Sequence, residues 1–418
     1  SVGDGFIMDV DKSQASQTNH NSQFSIFNSQ LTKHYTDYSM WDTYRAVHPL
    51  YNIIAPKASA DMMQSLVDMY AEGGWLPIFP CWNSYTAAMI GDHCSVVLAD
   101  AYIKGIRNFD YKKAYEGMRK NAFESPASIE DYKNGMGRRA LQSYLKYGYI
   151  PLEDNVKEAF HQNGQVSRTL EYAFDDFAVA QMAKALGQTA DYDALMKRSQ
   201  NYRNVINPKM GYAQGRYANG KFDHTKDYFH RQSYITEGAP CHYTWYVPQD
   251  PQGLITLLGG KKRFTSKLDS MFTCGRYWHG NEPCHQVAYM FDYAGEPWET
   301  QKWVRHILDT EYNDTPGGLS GNDDAGQMSA WYIFSAMGFY PVCPATPYYM
   351  LSSPTFKSVK INLDNGRTFT IDAENAGKDN IYVQSITKDG KPYADSFITH
   401  DDIVNGAIFH FVMSAKHQ

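Results

Sequence analysis

The sequence is short of several features, and each shortage removes a class of function. Six cysteines are scattered through 418 residues, at 81, 94, 241, 274, 284 and 343, and none has CxxC or CxxH spacing. A zinc site or a dense disulfide scaffold is therefore not expected, while isolated bridges stay open. No apolar run approaches the about 18 residues that a membrane-crossing helix needs. There is no basic stripe and the formal net charge is −6, so nucleic acid and membrane are not expected partners. Ser1–Asp11 has neither a basic n-region nor a long apolar h-region, so no signal peptide is expected in it. No internal repeat is visible.

What is present is an ordinary globular composition, 43% hydrophobic and 20% charged, with an unusually high aromatic share of 15% that includes 32 Tyr and 8 Trp. Such a share suits clefts that stack on sugar rings, and equally a large core. Residues 1–36 are polar and rich in Asn, Gln and Ser, an arm or the remnant of an element. From Tyr38 the apolar spacing becomes helical. It predicts helices over 41–48 (ending at Pro49), 59–70 (capped by Ser59, closed by Gly73–Gly74), 94–106, 111–121, 138–147, 168–186, 192–206, 252–258, 262–272, 282–291, 300–312 and 327–337. After Cys343 the period changes to two, predicting strands over 359–363, 368–372, 381–386 and 407–413 with turns at Asp364-Asn365-Gly366 and Lys388-Asp389-Gly390. The expected fold is mainly α, with helical hairpins in a ring over 37–344 and a small β-sandwich-like module over 345–418. The boundary falls near Pro344–Thr346.

Four stretches carry chemistry. In Gly318–Tyr340, GLSGNDDAGQMSAWYIFSAMGFY, Asp323 and Asp324 lie in a Gly-rich turn at a helix N-terminus, where the dipole favours negative charge. Gly321, Ala325 and Gly326 keep the turn slim enough for a ligand to approach. A plain helix cap is the competing reading. In YITEGAPCHYTWYVPQD, Glu237 sits in a loop followed by Tyr243, Trp245 and Tyr246. Desolvation among aromatics raises a carboxyl pKa, as a general acid requires, whereas a loop cap or salt bridge requires nothing more. In HGNEPCH, Asn281 and Glu282 offer hard oxygen donors that suit a calcium ion, or simply start a helix. In DYSMWDTYR, Trp41, Asp42 and Arg45 form a plausible sugar clamp, or an ordinary i,i+3 ion pair. Separated carboxyl sites in an aromatic-rich helical domain point to glycoside hydrolysis, with inversion or retention left open.

The ordered stretches HYTDYSMWDTYRAVHPL, GGWLPIFP, IGDH, VSRTLEYAFDDF, YITEGAP, YTWYVPQD, HGNEPCHQVAYMFDYAG and GNDDAGQMSAWYIFSAMGFYPV resemble glycoside hydrolase family 92. The resemblance implies an (α/α)6 barrel and an inverting, exo-acting, calcium-dependent (Ca2+) α-mannosidase acting on mannose-containing glycans. It implies Glu237 as general acid and Asp324 as general base, with Asp323 as neighbour or alternate. It places Asn281 and Glu282 at the calcium, and Trp41, Asp42, Arg45, Asp92, His93 and His279 at the substrate. It further implies a secreted or periplasmic enzyme and an N-terminal β-sandwich, which this sequence lacks, so that an N-terminal domain or a partner chain is expected to complete the site. The short segment 273–278, TCGRYW, departs from the loop that supports α-1,2 cleavage, so another linkage is expected. Two other readings stand beside this one: a glycan-binding protein without turnover, and another (α/α)6 glycosidase that needs no calcium.

Overall fold

The computed structural model describes residues 6–7, 33–82, 84–155 and 160–417. The predicted N-terminal arm therefore lies outside the described residues at 1–5 and 8–32. Phe6–Ile7 (β1) pairs antiparallel with His34–Tyr35 (β2). Where one helix is predicted over 41–48, two short ones form, Met40–Thr43 (α1) and Val47–Ile54 (α2). Pro49 starts rather than stops a helix, because its missing N–H falls in the first turn of α2, where no intrahelical bond is lost. Pro56–Gly73 (α3) begins with Pro56 in its first turn. Ser59 is consequently not a cap; it lies buried inside α3 and donates to Asn52 Oδ1 at 2.6 Å. Gly74, at φ 74°, closes α3 close to where the sequence places its end.

Then come His93–Ile103 (α4), Tyr111–Phe123 (α5), Ile129–Lys133 (α6), Leu141–Tyr147 (α7), Gln165–Ala185 (α8) and Thr189–Arg198 (α9). The helix predicted over 192–206 stops early. A single 3₁₀ turn over 201–204 leads into the two-residue hairpin strands Ile206–Asn207 (β3) and Tyr212–Ala213 (β4). Pro240–Tyr243 (α10), Pro251–Leu257 (α11) and Lys261–Thr273 (α12) follow. The helix predicted over 282–291 is broken into 3₁₀ turns at 282–284 and 287–289 before Met290–Ala294 (α13), since Asn281 is extended and Pro283 follows at once. Pro297–Thr310 (α14) and Gln327–Met337 (α15) complete the helices of this part.

Two helices without a solvent-facing stripe lie at the centre. His93 through Tyr102 in α4 are all buried, as are seventeen residues of α8, and the two pack on each other. Arg168, Glu171 and Asp175 recur on α8 at spacings of three and four, so they share one buried face. This face anchors the site described below.

The C-terminal strands are Phe339–Tyr340 (β5), Tyr348–Leu351 (β6), Ser358–Asn362 (β7), Thr368–Glu374 (β8), Tyr382–Lys388 (β9), Lys391–Tyr393 (β10), Phe397–Thr399 (β11) and Ile408–Ser414 (β12), with a short helix at His400–Val404 (α16). They form a five-stranded sheet, β10-β9-β12-β8-β7, and a three-stranded one, β11-β6-β5. Phe339 of the small sheet meets Phe369 of the large one at 6.1 Å between ring centres. The second sheet thus takes its first strand from before the predicted boundary at 344–346. All six cysteines are free.

Candidate active site

Backbone conformation presents the carboxylates. Asp324, Ala325 and Gly326 are successively left-handed, at φ 50°, 56° and 96°. The left-handed region is unfavourable for an L-residue, and such departures cluster at functional sites. The turn sends the two aspartates different ways. Asp323 Oδ1 accepts from the backbone N–H of Ser329 at 3.0 Å and from its hydroxyl at 2.9 Å, tying the start of α15. Asp324 instead joins Asp42 and Glu282, and carboxylate oxygens of all three lie within 4.8 Å of one another.

Glu237 is likewise left-handed, at φ 50°. Its carbonyl accepts from the Asn281 side chain, which fixes the TEG loop to the HGNEP loop. The HGNEP loop is in turn pressed on the GNDD turn. A Cβ on Gly280 would meet the Ser320 carbonyl oxygen at 2.5 Å, and one on Gly321 would meet the Gly280 oxygen at 2.8 Å. Gly321 therefore serves loop-to-loop contact, where the sequence suggests ligand access. Gln327, which sequence reasoning passed over, accepts from the Ala46 N–H at 3.0 Å and donates to His285 Nδ1 at 3.1 Å. It thereby links α15 to the chain just after Arg45 and to HGNEPCH.

Crowding of like charges in a buried place sets the electrostatics. Burial first, then Asp324 and Glu237, push the Asp42 carboxyl well above its usual range, with Arg45 opposing. Burial with Asp42 and Asp324 pushes Glu282 up to about 9. Glu237 is raised mainly by burial, with Asp324 and Glu171 adding and Arg231 opposing. A carboxylate trio of this kind takes up protons or a cation. Glu282 Oε1 is buried without a hydrogen-bond partner, and all the donors are hard oxygens. The residues therefore fit a calcium ion.

The remaining sequence candidates lie behind this surface. Trp41 is 2% exposed, and its indole N–H donates to Glu171 Oε1 at 3.0 Å. Arg45 is 4% exposed and lies against the rings of Trp41, Tyr44 and Tyr246. Its terminal nitrogens make no hydrogen bond. His93 lies between Glu171 (3.2 Å) and Asp175 (2.9 Å); burial alone would lower its pKa, but the two carboxylates push it up to about 9. Asp92 accepts from Arg138 and Asn121, both at 2.9 Å. His279 has both ring nitrogens bonded, to Tyr277 and Tyr312 hydroxyls at 2.7 Å each, and burial lowers its pKa to about 3. Of the residues assigned to substrate, only Asp42 belongs to the carboxylate trio. Glu171 was missed because a single acid on a buried helix gives no local signal.

Comparison with known proteins places this geometry. The profile of the glycosyl hydrolase family 92 catalytic domain matches residues 6–415. An uncharacterized secreted glycosidase of Arthroderma benhamiae is 30% identical over 390 residues, which cover 85% of this chain and 49% of that protein. A family GH92 α-mannosidase from Bacteroides thetaiotaomicron, solved in complex with mannoimidazole, is 39% identical with a TM-score of 0.85, over 92% of this chain and 51% of its own. A family GH92 inverting mannosidase from the same organism is 34% identical with a TM-score of 0.85, over 92% and 54%. The chain thus spans about half the length of these relatives. With the family profile running over nearly its whole length, this chain belongs to glycosyl hydrolase family 92.

Proposed function

We propose that this chain carries the chemistry of an exo-acting α-mannosidase, which removes terminal α-mannosyl residues from glycans with inversion. The observation that carries the reading is the convergence of Asp42, Glu282 and Asp324 beside a desolvated Glu237. The likeness to an α-mannosidase solved with mannoimidazole supports mannose as the sugar. The helices of residues 40–337 are read as the (α/α)6 barrel of the family.

Glu237, its carboxyl raised above the usual range mainly by burial, donates to the glycosidic oxygen as the C–O bond breaks. Asp324 takes a proton from the water that attacks the opposite face of the sugar. Asp42 accepts hydrogen bonds from mannose hydroxyls, and Trp41 beside it fixes its place. Glu282 and Asn281, together with the Asp42 and Asp324 carboxylates, would hold a calcium ion. When bound, calcium neutralises the carboxylates and polarises the sugar hydroxyls that it touches. Asp323 supports Asp324 by holding the turn. The relative described as a secreted glycosidase favours a secreted or periplasmic setting.

The test is turnover of α-linked mannobiose isomers by the whole protein, with the product anomer followed by NMR. Release of β-mannose is expected. Calorimetric mannose binding without hydrolysis would replace this reading with that of a glycan-binding protein.

A further inference from the structure

Among the described residues, Glu237 makes a single hydrogen bond, and it comes from Asn281. The Glu237 carboxyl has no hydrogen-bond partner and neither does the backbone N–H; only the carbonyl is engaged, by Asn281 Nδ2. The residues to either side are anchored separately. The Thr236 N–H donates to Ser167 Oγ at 2.8 Å, and the Ala239 N–H donates to His242 Nδ1 at 3.1 Å. Between these anchors stand Glu237, left-handed at φ 50°, and Gly238. A left-handed glutamate is strained and persists only where its surroundings hold it. With no partner on the carboxyl, the direction of that group is set by the backbone of Glu237, and the backbone is held by Asn281.

Asn281 is itself placed from several sides. Its backbone is extended, at φ −140° and ψ 128°, where a helix is read from the sequence one residue later. Gly280 before it is pressed on the Ser320 carbonyl, and Glu282 after it belongs to the carboxylate trio. A carbonyl oxygen only accepts, so the Asn281 amide must turn its nitrogen to Glu237, which leaves Oδ1 pointing the other way. Oδ1 accepts no hydrogen bond among the described residues and is not sealed from solvent. One short side chain thus stands between the strained acid loop and the residues that fit a cation.

We infer that Asn281 is the positioning residue of the proton donor: Nδ2 holds Glu237 in the left-handed conformation that aims its carboxyl, while Oδ1 serves the cation site, so one side chain places both. The inference rests on Glu237 as the proton donor of the proposed function. Asn281 exchanges no proton itself. Without its N–H, the Glu237 backbone is free to relax and the carboxyl leaves the line of the glycosidic oxygen. A misplacement of about 1 Å costs on the order of 10²-fold in rate. The loss falls on protonation of the leaving group, because Asp324, which activates the water, stands on a different loop.

The experiment uses the whole protein with two substitutions. Asn281→Asp removes the N–H donor and keeps an oxygen for the cation; Asn281→Ala removes both. kcat is measured on an α-linked mannobiose and on 2,4-dinitrophenyl α-mannoside, whose leaving group needs no proton, and calcium binding to the chelator-stripped protein is followed by calorimetry. In Asn281→Asp, kcat on mannobiose should fall about a hundredfold, and on the aryl mannoside by less than about tenfold. Calcium should bind this variant at least as tightly as the unsubstituted protein, since the ligand charge rises. Asn281→Ala should show the same split between substrates and weaken calcium by about 10–100-fold. Equal losses on the two substrates overturn the positioning role, and so does undiminished mannobiose turnover in Asn281→Asp. Unchanged calcium affinity in Asn281→Ala overturns the role of Oδ1. If Asn281→Asp has no cooperative melting transition, Asn281→Ala decides by the same split. Glu237→Gln run alongside separates the two failures. If it also loses both substrates equally, the proton-donor reading falls; if it shows the split and the Asn281 variants do not, only the positioning role falls.

Discussion

The indole of Trp41 and the carboxylate of Glu171 are joined by a 3.0 Å hydrogen bond across 130 residues of chain. Glu171 Oε1 also accepts from the Tyr243 hydroxyl at 3.0 Å, and its other oxygen faces His93. One buried acid thus fixes both α1, which carries Asp42, and α10, which follows Glu237. Glu171→Gln keeps the shape but places an amide where His93 needs an acceptor. Breaking one side of such a buried pair typically costs about 3–5 kcal/mol. Urea unfolding should show a loss of this order, together with altered Trp41 fluorescence. Unchanged stability would remove Glu171 from this role.

Glu237→Gln tests the proton donor. On mannobiose, whose leaving group needs the proton, kcat should fall by about 10²–10⁴. On 2,4-dinitrophenyl α-mannoside, whose leaving group does not, the loss should be far smaller. Equal losses on both substrates would count against Glu237 as general acid.

The two aspartates of the GNDD turn should separate. Asp323→Ala removes two hydrogen bonds at the start of α15, worth about 0.5–2 kcal/mol of stability as for a lost helix cap. Asp324→Ala should abolish turnover with a smaller effect on the melting temperature. The opposite pattern would exchange their roles.

Removal of calcium should expose the strain among the carboxylates. Glu282 is raised from the usual 4.5 to about 9 in the folded chain. Between these values the folded state holds a proton that the unfolded chain has released, so stability is greatest below about 4.5 and declines as pH rises towards 9. With chelator present, the melting temperature should fall over this window. Added calcium, which displaces the proton, should restore it most strongly at the alkaline end. A calcium effect that is absent at every pH would exclude the ion.

Much of the fold is legible in the chain order of residues. The segment over 327–337 is predicted to its last residue, because its apolar spacing ends at a glycine that takes φ 97° as a helix terminator. Four of the five strands of the large sheet are equally readable, β12 most clearly because its burial alternates with period two, whereas the three-residue β10 is not. The misreadings concern proline and crowded motifs. Pro49 and Pro56 open helices, and HGNEPCHQVAYM is split into short turns because Asn281 must reach the Glu237 carbonyl. Small strands such as β6 and β11 carry too few residues to show a period.

The sequence by itself determined most of the longer helices, the four longest strands of the large sheet, the motifs and the family, since each depends on local period or on the ordered recurrence of short segments. The tertiary structure alone decided that Asp42, from a sugar-clamp motif, Glu282, from a metal motif, and Asp324, from a base motif, are one cluster. It also decided that Asp323 turns away to Ser329. The physical reason is that convergence depends on the packing of α4 and α8 and on three consecutive left-handed residues. Neither leaves a trace in the spacing of residues along the chain.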